Sequence, residues 1–111
     1  MIHKMRLHNE PFKLVKNGTK TIEMRLNDEK RQLIKVNDII EFENRTTGEH
    51  ILVMVVDLYK FSNFYELYKN FDKTCLGYKE NEIANYKDME QYYSNDDQSK
   101  YGVLAIEMIL I

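Results

Sequence analysis

The stretch from Gly18 to Asp28 (GTKTIEMRLND) constrains the fold more than any other part of this 111-residue chain. Glycine allows a tight turn at no steric cost, and the residues from Thr21 to Leu26 alternate between polar and apolar. That alternation predicts a strand with one polar and one apolar face. The polar, solvent-facing side is expected to carry Thr21, Glu23, Arg25 and Asn27, with Ile22, Met24 and Leu26 behind it.

The charges of this strand form a candidate ligand site, because an acid, a base and a hydroxyl on one face can hold a polar molecule from several sides. Lys20 adds a second cation. Strict alternation places Lys20 on the face opposite Glu23, but it lies in or beside the turn after Gly18, where its side chain can swing to either face. The alternative is structural: Glu23 and Arg25 pair with each other or with the next strand.

Composition and charge are those of an ordinary globular domain, and residues 1–111 are predicted to form one domain with its own core. Apolar residues make up 43% of the chain and charged residues 31%, and the net charge is −2. Residues 1–45 contain ten Lys and Arg against seven Asp and Glu, whereas residues 46–111 contain six against eleven. This uneven distribution of charge predicts a local site for an anionic ligand in the basic N-terminal part, rather than a long phosphate-binding track.

The single cysteine, Cys75, allows no internal disulfide, which is typical of a protein from a reducing compartment. The first ten residues are too charged and too poor in apolar residues for a signal peptide. No apolar run approaches the length that spans a membrane. We therefore expect a cytoplasmic protein with no membrane partner.

The order of elements predicts an α+β fold. Besides the charged strand, apolar patterns predict strands over residues 1–7, 38–45, 51–58 and 102–111. The third of these is almost wholly apolar, so we expect it to be buried on both faces. The last is predicted to be apolar on both faces. Helices are predicted from Asn9 to Asn17, after a cap at Ser62, and over residues 86–94, with residues 95–100 as a polar loop. These elements fit a small, mostly antiparallel β-barrel with helices packed at its sides.

Other kinds of site have little support in the sequence. It contains no phosphate-binding glycine loop, dinucleotide fingerprint, zinc ribbon or serine-hydrolase elbow. The three histidines lack the spacing of metal ligands, so we predict neither a metal nor a cofactor. The aromatic cluster expected nearest the cleft is Tyr92-Tyr93-Ser94, with Tyr93 as a candidate to line it. The alternative, which the sequence supports equally, is that one of these tyrosines packs in the core and the other is exposed.

The segment from Phe12 to Arg25 resembles a known family signature. It reads Phe-x-x-Val-Lys-x-Gly-x-Lys-Thr-x-Glu-x-Arg, similar to the GxKxxExR motif of the ASCH domain, a member of the PUA-like superfamily. The segments 34–42 and 101–106 resemble the family's later strands, and Tyr92-Tyr93-Ser94 precedes the last one. One departure is Asn37, where the family often has glycine, but asparagine tolerates a left-handed backbone.

The resemblance implies a pseudo-barrel of about five or six strands and a cleft between barrel and helices that is lined by the signature residues. RNA binding is the usual proposal for such domains, and some relatives have been proposed as ribonucleases. Similar small bacterial proteins hydrolyse N4-acetylcytidine, with a threonine nucleophile at the position of Glu23 and a lysine that matches Lys20. Because Glu23 is no hydroxyl nucleophile and Thr21 lies two positions away, that mechanism does not transfer unchanged.

Three functions follow from these observations. The first is binding of RNA or a modified nucleoside or nucleotide. The residues expected to bind the ligand are Lys20, Thr21, Glu23, Arg25, Asn27 and Tyr93. The second is a small hydrolase, acting on a nucleoside amide or on RNA, with Lys20 and Glu23 as catalytic residues. The third is a protein-interaction module in which the charges are structural.

Overall fold

A five-stranded sheet is the frame of the computed structural model, which describes residues 1–111. The strands are β1 (Ile2–Leu7), β2 (Ile22–Leu26), β3 (Ile39–Asn44), β4 (His50–Phe61) and β5 (Val103–Leu110). The α-helices are α1 (Asn9–Lys16), α2 (Phe64–Tyr68), α3 (Lys73–Leu76) and α4 (Asn95–Tyr101). Two 3-10 helices span Arg31–Leu33 and Tyr86–Gln91.

The strands are ordered β1-β3-β4-β5-β2, so that β1 and β2 are the two edges of the sheet. Only β1 and β3 are parallel; the other three pairs are antiparallel. The sheet curls until its edges approach each other, and Arg25 Nη2 on β2 donates to the carbonyl oxygen of Arg6 on β1 at 3.1 Å. The result is a curled half-barrel with helices beside it, which confirms the predicted α+β class and small barrel architecture.

Two cores lie on opposite faces of this sheet. The interior of the half-barrel is filled by side chains of four strands and α1, together with Ile34. The second core lies between the outer face of β2 and β5 and the layer of α2, α3 and the second 3-10 helix. Strand β5 belongs to both, since Leu104 and Ile106 point into the barrel while Val103 and Ala105 contact the helical layer. The last strand, predicted to be apolar on both faces, thus buries both faces over residues 103–106, whereas Ile109 and Leu110 near its end are 54% and 39% exposed.

The prediction that residues 51–58 are buried on both faces is wrong. Strand β4 buries Val53 and Val55, whereas Leu52 and Val56 are each 42% exposed. The helices cover the outer face only near β5 and β2, so nothing packs on the outer face of this part of β4. A register shift between Val55 and Asp57 also interrupts its pairing with β5.

The segment predicted as a polar loop, residues 95–100, is the helix α4. Ser94 caps it by accepting a hydrogen bond from the backbone N–H of Asp97 at 3.1 Å. Gln98 then anchors the helix in the interior, where its side chain accepts from the N–H of Phe64 and donates to the carbonyl of Tyr93. The search for apolar periodicity did not identify this helix, because its buried residue, Gln98, is polar.

Helix α1 begins at Asn9, as predicted, and ends at Lys16, whereas no helix was predicted at α3. The cap of α2 is Asn63 rather than Ser62, and its side chain accepts from the N–H of Glu66 at 2.9 Å. The predicted helix over 86–94 is a 3-10 helix that ends at Gln91. None of the helices combines the length and the apolar character needed to cross a membrane.

The turn before β3 is fixed by Asn37 and Asp38. Asn37 has a φ of 76°, the left-handed backbone that asparagine tolerates. The carboxylate of Asp38 accepts the backbone N–H of Lys35 at 3.0 Å and lies 2.8 Å from Nε2 of His3 on β1. The hydrogen bond with His3, followed by that with Lys35, lowers the pKa of Asp38 to about 2. This carboxylate thus ties the turn to the neighbouring strand.

Asp38→Asn is expected to remove an acid-sensitive contribution to stability. A carboxyl whose pKa is lower in the folded chain than its unfolded value of about 3.9 stabilises the fold fully above that value. The contribution is lost as the pH falls through the folded pKa of about 2. In urea titrations, the difference in unfolding free energy between the wild type and Asp38→Asn should shrink below about pH 4. The control Asp96→Asn, at an exposed position, should show no such trend, and a pH-independent deficit in Asp38→Asn would contradict the assignment.

Candidate functional site

A cavity of about 470 Å³ opens where the two edge strands of the half-barrel meet. Residues of β1, β2 and the segment that follows the second 3-10 helix form its walls. Its lining residues are Arg6, Leu7, His8, Pro11, Lys20, Glu23, Met24, Arg25, Arg45, Met89, Gln91, Tyr92 and Tyr93. A smaller hollow of about 310 Å³ adjoins it and shares Lys20 and Tyr92 as lining residues.

Lys20, Glu23 and Arg25 meet in this cavity as a charged triad. Lys20 Nζ lies 3.4 Å from Glu23 Oε1, and Arg25 Nη2 lies 2.8 Å from Glu23 Oε2. Arg25 Nε also donates to Oε2 at 2.9 Å. The side chains of Lys20 and Glu23 are each 6% exposed and that of Arg25 is 14% exposed. The carboxylate therefore has a cation at each oxygen and almost no contact with solvent.

The expectation that Glu23 lies on a solvent-facing strand surface is wrong. The register of β2 and β5 pairs Glu23 with Ile106 and Arg25 with Leu104, two residues of the barrel core. Cross-strand partners share a face of the sheet, so the polar face of β2 points into the mouth of the half-barrel. The alternation identified correctly which residues share a face, but that face is covered by the rest of the barrel.

The side chain of Lys20 lies on the same side as Glu23. The alternation of the strand had left open which face this side chain takes. Its backbone N–H donates to the carbonyl of Leu14 in α1, and its Nζ donates to the carbonyl of Leu76 at 2.8 Å. Gly77 follows Leu76 with a φ of 107°, and a Cβ atom at Gly77 would lie 3.2 Å from Lys20 Cδ. The glycine thus leaves the space that the lysine side chain occupies.

The electrostatics of the triad keep Glu23 ionised. Burial by itself raises the pKa of Glu23, but the charges and hydrogen bonds of Arg25 and Lys20 outweigh it, so the pKa lies below its ordinary value. For Arg25, burial acts to lower the pKa, and the carboxylate of Glu23 more than compensates and raises it. Glu23 and Arg25 therefore remain charged around neutral pH.

The two tyrosines of the predicted aromatic cluster both line the cavity but differ in their surroundings. The ring of Tyr93 stacks on Phe64, with centroids 5.7 Å apart and an interplanar angle of 24°. Burial raises the pKa of Tyr93; Arg25 acts in the opposite direction and Glu23 in the same one. Tyr92 is 56% exposed, and its ring centroid lies 6.4 Å from that of His8. Tyr92 therefore has the more accessible ring at the mouth of the cavity.

Thr21 and Asn27 do not line this cavity. The backbone of Thr21 is engaged on both sides: its N–H donates to Cys75 and its carbonyl accepts from Met108. Asn27 instead lines a separate, open hollow of about 690 Å³ beside Lys60 and Tyr101. The structure thus brings Lys20, Glu23, Arg25 and Tyr93 together and leaves the other two predicted residues outside.

Three basic residues of the cavity were missed by the sequence analysis, namely Arg6, His8 and Arg45. Arg6 lies near the end of β1 and Arg45 directly follows β3, and these two strands run in parallel side by side. The N–H of Arg45 donates to the carbonyl of Leu7 at 2.9 Å, which holds the two strand ends together. The excess of basic residues in the N-terminal part was the only sequence signal for this group. Nowhere do three or more His, Cys, Asp or Glu side chains come together in a way that could hold a metal ion.

Comparison with known families gives a match to the ASCH domain over residues 5–111. The chain belongs to the ASCH domain family. Two solved structures are similar to this ASCH domain over its full length. The hypothetical protein PH0355 is 33% identical, with all of both chains covered and a TM-score of 0.84. Protein PF0455 from Pyrococcus furiosus is 30% identical, with 100% of this chain and 98% of that chain covered and a TM-score of 0.72.

More distant structures support the fold alone. The ASCH protein of Zymomonas mobilis is 14% identical and has a TM-score of 0.71, with 97% of this chain and 66% of that chain covered. The ASCH domain of Lactobacillus crispatus is 9% identical and has a TM-score of 0.66, with 98% of this chain and 79% of that chain covered. No match is found among curated proteins.

Glu23→Gln is expected to lower the free energy of unfolding by about 3 kcal/mol or more, because it leaves two buried cations without their anion. Urea denaturation measures this difference. The matched control is Glu43→Gln, which removes a carboxylate that is 37% exposed and lies 3.6 Å from Arg6 and 3.7 Å from His50 on neighbouring strands. An exposed pair contributes at most about 1 kcal/mol, so an equally small loss in both variants would contradict the structural role of Glu23.

Gly77→Ala is expected to destabilise the ASCH domain more than Gly48→Ala. Both glycines have positive φ angles, but a Cβ atom at Gly48 meets nothing within 4 Å. Gly48→Ala should therefore cost only the backbone term of about 1–2 kcal/mol. The part of the additional loss that comes from contact with Lys20 should disappear in a Lys20→Ala background, whereas the part that comes from the larger φ of Gly77, 107° against 76°, should persist. An additional loss of unchanged size in that background would show that contact with Lys20 contributes nothing to it.

Proposed function

We propose that this ASCH domain binds RNA or a modified nucleoside or nucleotide in the cavity that contains Lys20, Glu23 and Arg25. The observation that carries the proposal is a buried, charge-compensated triad that borders a cavity of about 470 Å³. A triad with a structural role alone has no need to border open space. ASCH domains are generally thought to bind RNA, and the proposal is consistent with that property.

The triad retains hydrogen-bonding groups for a ligand. Of the three protons on Lys20 Nζ, one goes to Leu76 and one points to Glu23, which leaves a third. Arg25 uses Nε and Nη2 within the protein, so the two N–H groups of Nη1 remain. Glu23 Oε1 keeps one acceptor position. Donors and an acceptor fixed in one place suit the edge of a nucleobase, which carries both.

Tyr92 supplies the stacking surface in this proposal. The sequence analysis favoured Tyr93, but one face of that ring is occupied by Phe64. Tyr92 is exposed and borders both the cavity and the adjoining hollow. Stacking of a base on an exposed aromatic ring is the common mode of single-stranded RNA recognition.

Binding is favoured over hydrolysis by the state of Glu23. A general base works best when its pKa lies near the working pH, whereas the pKa of Glu23 is lowered by Arg25 and Lys20 against the effect of burial. Tyrosine provides the only hydroxyl groups among the lining residues, and Thr21 lies elsewhere. Lys20 and Glu23 are therefore assigned to ligand binding rather than to catalysis. The lone thiol Cys75 supports a cytoplasmic location as part of the proposal.

Tyr92→Leu tests the proposal with little risk to the fold, because the side chain is largely exposed. The purified protein is titrated with a panel of modified nucleosides, nucleotides and short single-stranded RNAs, and product formation is recorded in the same samples. For the ligands that bind, Tyr92→Leu should weaken affinity by roughly tenfold, since stacking contributes about 1–3 kcal/mol per base.

The control is Tyr65→Leu, which removes another exposed tyrosine, one that lies on α2 and does not line the cavity. Tyr65→Leu should leave affinity unchanged. Absence of binding across the panel, or equal losses in the two variants, would overturn the proposed function. Product formation without stable binding would support the hydrolase instead.

A further inference from the structure

We infer that the ligand of this cavity carries a phosphate group, which binds at a rim formed by Arg6 and Arg45, apart from the triad. This inference rests on the proposed function, and it specifies the ligand class as a phosphorylated nucleotide rather than a free nucleoside. The phosphate is either a monoester of a nucleotide or a diester within a short RNA. Both present the same anionic oxygens to the two guanidinium groups.

The charge distribution of the cavity is the first argument. Four cationic side chains line it, and Glu23 is the single carboxylate among the lining residues. Glu23 is already compensated by Lys20 and Arg25, which contact both of its oxygens. The positive charge of the rim is therefore not neutralised by any carboxylate that borders the cavity.

Arg45 is the main element of the rim, because the residue is exposed and its guanidinium forms neither an ion pair nor a side-chain hydrogen bond within the chain. Its backbone, by contrast, is well fixed. The preceding residue, Asn44, is 2% exposed; its Oδ1 accepts from the N–H of Thr46 at 2.8 Å, and its Nδ2 donates to Asn9 Oδ1 at 3.0 Å. The chain thus presents a free guanidinium from a rigid position at the cavity mouth.

Arg6 completes the rim from the neighbouring parallel strand. Its Nε lies 3.6 Å from Glu43 Oε2 in an exposed pair, which is a weak interaction in water. The same residue accepts a hydrogen bond from Arg25 through its backbone carbonyl, so the rim is joined directly to the triad. Guanidinium groups bind phosphate oxygens in bidentate geometry, and two such groups at the ends of neighbouring strands suit one phosphate.

Isothermal titration of matched ligands tests the inference. Nucleosides that bind are compared with their own 5′- and 3′-monophosphates, so that the phosphate is the only difference. We expect one of the two monophosphates to bind roughly tenfold to a hundredfold more tightly than the nucleoside, as for a hydrogen bond to a charged group. Arg45→Gln should abolish most of this ratio and leave nucleoside affinity unchanged, whereas Arg45→Lys should retain part of it.

Lys60→Gln is the matched control, since it removes one exposed positive charge beside the separate hollow that contains Asn27. It should leave the ratio of monophosphate to nucleoside affinity intact. Whether the phosphate belongs to a diester of RNA is tested by measuring the affinity of short single-stranded RNAs at several salt concentrations. There Arg45→Gln should reduce the slope of log affinity against log salt by about 0.7, the value for one phosphate contact. A change in the monophosphate ratio without a change in this slope identifies a monoester as the ligand.

The outcomes separate this inference from the proposed function. The phosphate rim would be overturned, and the proposed function preserved, by equal affinity of nucleosides and monophosphates together with an RNA salt slope that Arg45→Gln does not change. In that case Tyr92→Leu should still weaken binding of both classes. A loss in Arg45→Gln that affects nucleosides and monophosphates alike would also overturn the rim. If nucleosides, monophosphates and short RNAs all fail to bind the wild-type protein, both proposals fail.

Discussion

The ion pairing around Glu23 is the interaction on which the rest of this structure depends. It gathers Lys20 from the turn after α1, Arg25 from β2, and, through these cations, the backbone carbonyls of Leu76 and Arg6. One carboxylate thereby connects both edges of the curled sheet with the helical layer. The same contacts that close the half-barrel also build one wall of the cavity, so the site cannot be separated from the fold that carries it.

This arrangement explains why the proposed function is binding. Desolvation of three charges is costly, and their mutual attraction repays it only when the geometry and hydrogen bonds are good. Groups held so firmly are poor proton shuttles but well-placed donors and acceptors. All three residues line the cavity, so in the proposed complex a ligand meets a preorganised surface and causes little rearrangement.

The periphery of the cavity has the opposite character. Tyr92, His8 and Arg45 are exposed, but each is attached to a fixed piece of backbone at the end of a strand or a 3-10 helix. The exposed ring of Tyr92 and the unpaired guanidinium of Arg45 stay hydrated until a ligand binds. The interior triad and the exposed rim therefore divide recognition between a base edge and a phosphate in the proposed complex.

Local sequence determined much of this protein: the alternation from Thr21 to Leu26 defined the strand and its shared polar face, and the signature around Lys20 identified the family. Local periodicity cannot say what covers a face, however, so it misjudged the burial of Glu23 and of β4. It also cannot bring Arg6 and Arg45 together, because 38 intervening residues separate them and only the parallel pairing of β1 and β3 makes them neighbours. Strand pairing and sheet curvature are long-range properties, and they decided which charges are buried, which are exposed, and where the cavity opens.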